Sequence, residues 1–373
     1  GMDHMKRQSA AGSGVDRRGF LRAGLHAGVG LAAAGAFAPR VRGSDKSGLR
    51  APVLGSGEHM YECVHDWLSP PDGLMWGDTH GLAQDSSGMI YVAHTVNAES
   101  TRSEAVVVFT PDGKFHGAWG SAFRGGAHGL DVRAEGADGS EAEFLYHCDT
   151  QRRLVVKSDL KGEVLWESGC PLQSGKYESP EKWCPTNVAF LPDGRLLVGD
   201  GYGSSYVHRY GADGAYESTL IGPGHERGQV SCPHGLWVDD RVVARGRGPT
   251  LLVADRGNRR IQRFTLEGEH VEFLSDGVRM PCHFKTRNDL LLVPDLESVV
   301  TLMGMDGKAV VHLGDGHPSA LRGRPRADFV PGRFIHPHTA IFLQSGDILV
   351  AEWVPIGRIT LLTDWQQPWT LHA

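Results

Sequence analysis

The sequence predicts an all-β protein built as a six-bladed β-propeller, and three observations predict it. The 373-residue chain holds 50 glycines, about twice the usual share, which disfavours helices and supplies turns. A unit of roughly 50 residues recurs six times, as the blades of a propeller do. Each unit reads as four short apolar strands separated by turn signals.

The units open at His80-Gly81-Leu82-Ala83, His128-Gly129-Leu130-Asp131, Asn187-Val188-Ala189-Phe190, His234-Gly235-Leu236-Trp237, His283-Phe284 and His338-Thr339-Ala340-Ile341, with spacings of 48, 59, 47, 49 and 55. A turn such as Asp85 to Gly88, Pro192-Asp193-Gly194 or Ser345-Gly346-Asp347 leads into a second strand rich in aliphatic and β-branched residues. Met89 to Val92, Arg195 to Val198, Leu251 to Val253, Leu290 to Val293 and Asp347 to Val350 are examples. The third strand runs into a turn at Gly113, Gly162, Gly214, Gly268 or Gly307, and a more polar fourth strand follows, as at Phe115 to Trp119 and Tyr216 to Leu220. The sixth unit lacks that last turn after Arg358 to Leu362. An orphan strand at Tyr61 to Trp67 precedes the first unit and is expected to complete the last blade, removing an open sheet edge; Trp369-Thr370-Leu371 competes for that place.

Residues 1–38 read as an address. Asp16-Arg17-Arg18-Gly19-Phe20-Leu21-Arg22 precedes a small-residue apolar run ending in Ala36-Phe37-Ala38, which resembles a twin-arginine export signal. A membrane anchor is disfavoured because the run is rich in Gly and Ala and interrupted by His26, and no later segment is long and apolar enough to span a bilayer. The expected organisation is a signal over 1–38, a linker over 39–58 and one propeller domain over 59–373, periplasmic or secreted, with no stable membrane anchor once the signal is removed.

Lys plus Arg (38) against Asp plus Glu (44) gives a net charge of -6. The basic excess needed to neutralise phosphates is missing, so nucleic acid is not an expected partner. Cys63, Cys148, Cys170, Cys184, Cys232 and Cys282 form no CxxC pair, which excludes a zinc ribbon. Buried free thiols are favoured over bridges, although an oxidising compartment permits them.

The 19 histidines carry the functional reading. First strands line a propeller's channel, so His80, His128, His234, His283 and His338, with Asn187 at the sixth position, are expected to converge at one mouth. Neutral imidazoles meeting there suit zinc or another divalent transition metal; calcium prefers oxygen ligands and fits them poorly. The ends of the second strands face the same mouth and read His94, Asp149, Asp200, Asp255, Asp295 and Glu352. They are expected to cap turns or to hold the histidine tautomers as outer support for a metal. Tyr202, in Asp200-Gly201-Tyr202, and Arg256, after Asp255, could take a substrate proton and hold an anionic group.

Pro185-Thr186-Asn187-Val188-Ala189-Phe190, Val198-Gly199-Asp200-Gly201-Tyr202, Pro233-His234-Gly235-Leu236 and Val253-Ala254-Asp255-Arg256-Gly257-Asn258 resemble NHL-repeat propellers, in particular the peptidyl-α-hydroxyglycine α-amidating lyases. The resemblance implies zinc on His128, His234 and His338; His80 and His283 have no counterpart in it and are candidates for additional axial ligands by their place in the repeat. It also implies a base at Tyr202, assistance from Arg256, and cleavage of the carbon-nitrogen bond of a carbinolamide to an amide and glyoxylate. The substrate class is then a small or peptide-derived molecule. Two departures stand out. His336-Pro337-His338-Thr339 lacks the aspartate that follows the family's last ligand and joins a structural calcium site. The family's second arginine would fall near His94 and Thr95, leaving Arg102 as a replacement if its loop folds inward. The alternatives are a non-catalytic NHL propeller that binds protein or glycan, and a calcium-dependent lactonase using oxygen ligands such as Asn187 and Glu352.

Overall fold

A computed structural model describes residues 51–136, 141–241, 246–274 and 276–365; the export signal and Trp369-Thr370-Leu371 lie outside the described residues. Six antiparallel sheets follow one another along the chain, five of four strands and one of five. Blade one comprises Thr79–Gln84, Ile90–His94, Val106–Phe109 and Phe115–Trp119, and blade two Ala127–Glu135, Ala142–Asp149, Leu154–Asp159 and Val164–Ser168. Blade three comprises Asn187–Phe190, Leu196–Gly199, Val207–Tyr210 and Tyr216–Ile221. Pro233–Asp239, Thr250–Asp255, Arg260–Phe264 and His270–Phe273 make blade four; Lys285–Arg287, Leu290–Asp295, Val299–Met303 and Ala309–Leu313 make blade five. Blade six takes Pro337–Phe342, Ile348–Glu352 and Arg358–Asp364 from the end of the chain and His59–Val64 and Val53–Ser56 from its start.

The closure is antiparallel, with Tyr61 opposite Asp364 and Cys63 opposite Leu362. The strand is shorter than expected, since the chain leaves the sheet after Val64. Val53–Ser56 falls within the stretch expected to be a linker: it pairs back on His59–Val64 through a tight Gly57-Glu58 turn, with Gly57 at φ +59°, and covers an edge that would otherwise stay open.

Inner strands are buried on both faces, because each blade is sandwiched between two others. Val106–Phe109 and Val299–Met303 are buried at every position, while the outermost Phe115–Trp119 is part exposed. The core therefore lies between blades: Leu197, Val207 and Ile221 of blade three pack with Leu236, Val253 and Phe264 of blade four. The hairpin glycines Gly113, Gly162, Gly214, Gly268 and Gly307 all have positive φ, as turns between right-twisted strands require.

Antiparallel pairing puts the start of each first strand beside the end of the second. Thr79 lies opposite His94, Ala127 opposite Asp149, Pro233 opposite Asp255 and Pro337 opposite Glu352. Blade five departs from the pattern: its first strand begins at Lys285, and only an isolated bridge from Pro281 to Asp295 continues the ladder past His283.

Candidate metal centre

Each of four axial histidines uses its Nδ1 on the backbone of the next blade. His80 bonds Ala127 O (3.1 Å), His128 bonds Thr186 O (2.9 Å), His234 bonds Cys282 O (2.8 Å) and His338 bonds His80 O (3.0 Å). A carbonyl only accepts, so Nδ1 carries the hydrogen and Nε2 is left with a lone pair. At His128 and His234 the following glycine makes room for the carbonyl, whereas His338, followed by Thr339, makes the same bond without one. A Cβ on Gly129 would stand 2.3 Å from Thr186 O, and one on Gly235 2.3 Å from Cys282 O. At these two positions only glycine lets the accepting carbonyl come that close.

The lone pairs converge. The ligand nitrogens of His80, His128 and His338, all buried, lie within 4.8 Å of one another. His128 Nε2 and His338 Nε2 are 3.1 Å apart. The ring of His234 sits 4.9 Å from that of His128 and 4.7 Å from that of His338. Tyr202 Oη closes the cluster, 3.2 Å from His128 Nε2 and 3.0 Å from His234 Nε2. Burial is the main cause that holds these imidazoles neutral: His80 is pushed down to about 4, and His128, His234 and His338 well below the ordinary value.

Two lone pairs at 3.1 Å repel unless a cation lies between them. Nitrogens bound at about 2.0–2.1 Å to a tetrahedral zinc stand roughly 3.3–3.4 Å apart, close to this separation. Tyr202 has one hydrogen for two imidazole acceptors, which again leaves a lone pair for a cation to satisfy. The donor set therefore fits a divalent transition metal.

Arg256 stands beside the cluster. Its Nη1 donates to Tyr202 Oη at 3.4 Å, and it reaches the thiols of Cys282 (3.7 Å) and Cys232 (3.3 Å). Among the described residues no carboxylate pairs with it. Burial pushes the Tyr202 phenol up to about 12, with the guanidinium opposing, so the hydroxyl keeps its hydrogen at neutral pH. The same desolvation raises both thiols, which leaves the Arg256 charge unbalanced. None of the six cysteines is bridged.

Several expected site residues stand elsewhere. His283 turns away from the other imidazoles, its Nε2 3.6 Å from Asp131 Oδ2, because the irregular start of its blade displaces it. Asn187 donates to Asp131 Oδ2 (3.2 Å) and accepts from Leu236 N (2.8 Å). Asp131, three residues beyond His128, also pairs with Lys285 and is held down to about 2: burial opposes the charged form, and Lys285 and His283 more than offset it. This network of buried Asp131, His283 and Asn187 with half-buried Lys285 was not anticipated; the signal was the carboxylate in the His-Gly-Leu-Asp of blade two.

Among the described residues the acids at the second-strand ends make no hydrogen bond to the axial imidazoles. Asp200 accepts from Cys184 N (2.8 Å) and Ser204 N (2.6 Å), Asp255 from Ser231 N (2.7 Å), Asp295 from Arg279 N (2.7 Å) and Glu352 from Ile335 N (2.6 Å). They anchor loops, and backbone carbonyls hold the tautomers instead. Glu352 is further paired with the buried Arg358. Arg102 is ion-paired with Glu104 at 2.6 Å and bonds none of the histidines.

No family model matches the chain. Among solved structures, a chain of a nidogen/laminin complex is similar at 17% identity over 64% of this chain and 80% of that one, with a TM-score of 0.47. A luciferin-regenerating enzyme is similar at 11% identity over 79% of this chain and 93% of that one, with a TM-score of 0.49. By its own sheet topology and side-chain geometry, the chain is a six-bladed β-propeller with a buried histidine cluster able to hold a metal ion at one mouth of its channel.

Proposed function

We propose that this propeller is a zinc-type metal-dependent carbon-nitrogen lyase, of the peptidyl-α-hydroxyglycine α-amidating kind, acting on a small carbinolamide that carries a carboxylate. The observation that carries the reading is the convergence of tautomer-fixed Nε2 atoms on the hydroxyl of Tyr202. Three imidazoles would hold the metal, His80, His128 and His338 being the set whose nitrogens lie within 4.8 Å of one another; His234 stands beside them, and a tetrahedral ion keeps one position open for substrate. A divalent transition metal held there would supply Lewis acidity for lowering the pKa of a substrate hydroxyl. Tyr202 Oη would relay a proton from that hydroxyl to the departing amide nitrogen, so the phenol ends as it began while the carbon-nitrogen bond breaks and the carbon-oxygen double bond of glyoxylate forms. Arg256, without a protein carboxylate, is free to hold the substrate's.

The calcium-dependent lactonase reading loses its oxygen ligands, since Asn187 is bonded to Asp131 and Glu352 to Arg358. Export to the periplasm or beyond is part of the same proposal and rests on the Arg17-Arg18 segment; among the described residues no helix is long and apolar enough to cross a membrane. Glyoxylate release from a peptidyl-hydroxyglycine probe tests the reaction. Tyr202→Phe is expected to cut turnover at least about a hundredfold with bound zinc unchanged, and undiminished turnover would rule out the mechanism.

A further inference from the structure

The rim opposite Tyr202 carries a group that the six-fold repeat does not supply. Between the strands Ala309–Leu313 and Pro337–Phe342 runs a long connection whose one regular element is the short turn Arg326–Asp328. Connections of this length with so little structure are uncommon and usually functional. This one is tied down, because Arg326 pairs with Asp66 and donates to Ile356 O (2.8 Å) and Gly357 O (2.7 Å). The anchoring places Arg322. Its Nη2 donates to Asp78 Oδ1 at 2.8 Å, and its guanidinium lies 3.8 Å over the ring of Trp353.

Both partners belong to the mouth. Asp78 is two residues before the axial His80. Trp353 follows Glu352 as Arg256 follows Asp255, so it occupies in blade six the repeat position that Arg256 holds in blade four. Stacking on the indole fixes the plane of Arg322. Among the described residues one of its three nitrogens is bonded: Nε is buried without a partner, and Nη1 makes no hydrogen bond. Among the described residues Arg256 pairs with no carboxylate and Arg322 with Asp78 alone, so each guanidinium keeps donors for a further acid.

We propose that Arg322 is a second substrate-anion holder at this mouth and that the site takes small dicarboxylates, one carboxylate on Arg256 and the other on Arg322. The proposal deepens the lyase reading and rests on it for where the reacting carbon sits. A connection between blades five and six thus supplies the second cation that blade one, with His94 and Thr95 at the corresponding place, does not.

The test is a calorimetric titration of the whole protein with malonate, succinate and glutarate, each against acetate, with and without added zinc. Wild type is expected to bind the best-fitting dicarboxylate at least about tenfold more tightly than acetate, the worth of one charge-assisted bidentate contact. Arg322→Ala is expected to reduce that preference to within about twofold. Because Arg322→Ala leaves Asp78 unpaired, the double variant Asp78→Asn/Arg322→Gln is measured beside it and is expected to behave alike. A wild-type protein with no dicarboxylate preference, or either variant keeping it, overturns the proposal. Missing zinc uptake would count against the lyase reading alone, since the carboxylate titration is read without zinc as well.

Discussion

His128 Nε2 and His338 Nε2 stand 3.1 Å apart although each ring has given its Nδ1 hydrogen to a backbone carbonyl, of Thr186 and of His80 respectively. Neither nitrogen has a hydrogen to offer the other. Protonation is opposed by burial, so a metal cation is the natural resolution of the contact.

The axial histidines are therefore not equivalent. His80→Ala and His128→Ala are expected to weaken zinc binding at least about a hundredfold, as loss of an inner ligand does. His283→Ala is expected to leave it within a few-fold, because that ring faces Asp131. Competition against a chromogenic chelator measures all three. Equal losses at His80 and His283 would contradict the arrangement.

Gly235→Ala probes how the tautomer is set. The added Cβ would stand 2.3 Å from Cys282 O, the acceptor of His234 Nδ1. The strand must shift, at a cost of about 1–3 kcal/mol in urea unfolding, and zinc affinity is expected to fall with it. An unchanged affinity would show that the carbonyl clamp does not orient His234.

Stability should fall as pH drops below the ordinary histidine value. Burial pushes His147 down to about 3 and His208 down to about 4, against about 6.5 in an unfolded chain. Below that value the unfolded chain binds protons the folded one refuses. The folded state is thus fully favoured at neutral pH and loses about 1.4 kcal/mol per pH unit per histidine as pH drops through the window from about 6.5 toward 4. Urea unfolding at pH 7 and pH 5 measures it, and His147→Gln should shrink the difference. A flat profile would contradict the burial of these rings.

The blades were legible in the sequence because the repeat writes the same chemistry six times. Gly113, Gly162 and Gly214 each mark a hairpin, and His80, His128, His234 and His338 each open a channel strand. What departs from the repeat was not legible. Val53–Ser56 has no partner unit to be compared with, and His283 has the right residue at a place where the strand has not yet begun. The network around Asp131 depends on which layer of the channel a side chain reaches, which spacing along one strand does not show. The carboxylates of Asp200, Asp255 and Asp295 had two plausible partners, imidazole or backbone N–H, and only the folded geometry separates them. Arg322 comes from a connection with no internal repeat, held in place by Asp78 and Trp353, both distant in sequence.

The central claim is that the histidine cluster is a metal site, and the metal content of the purified protein after dialysis against zinc tests it most directly. The account predicts roughly one equivalent of zinc per chain in the wild type and its loss in His128→Ala, with the fold retained. Less than about a tenth of an equivalent of any transition metal in wild-type protein, below what a closed structural or catalytic site retains, would contradict it.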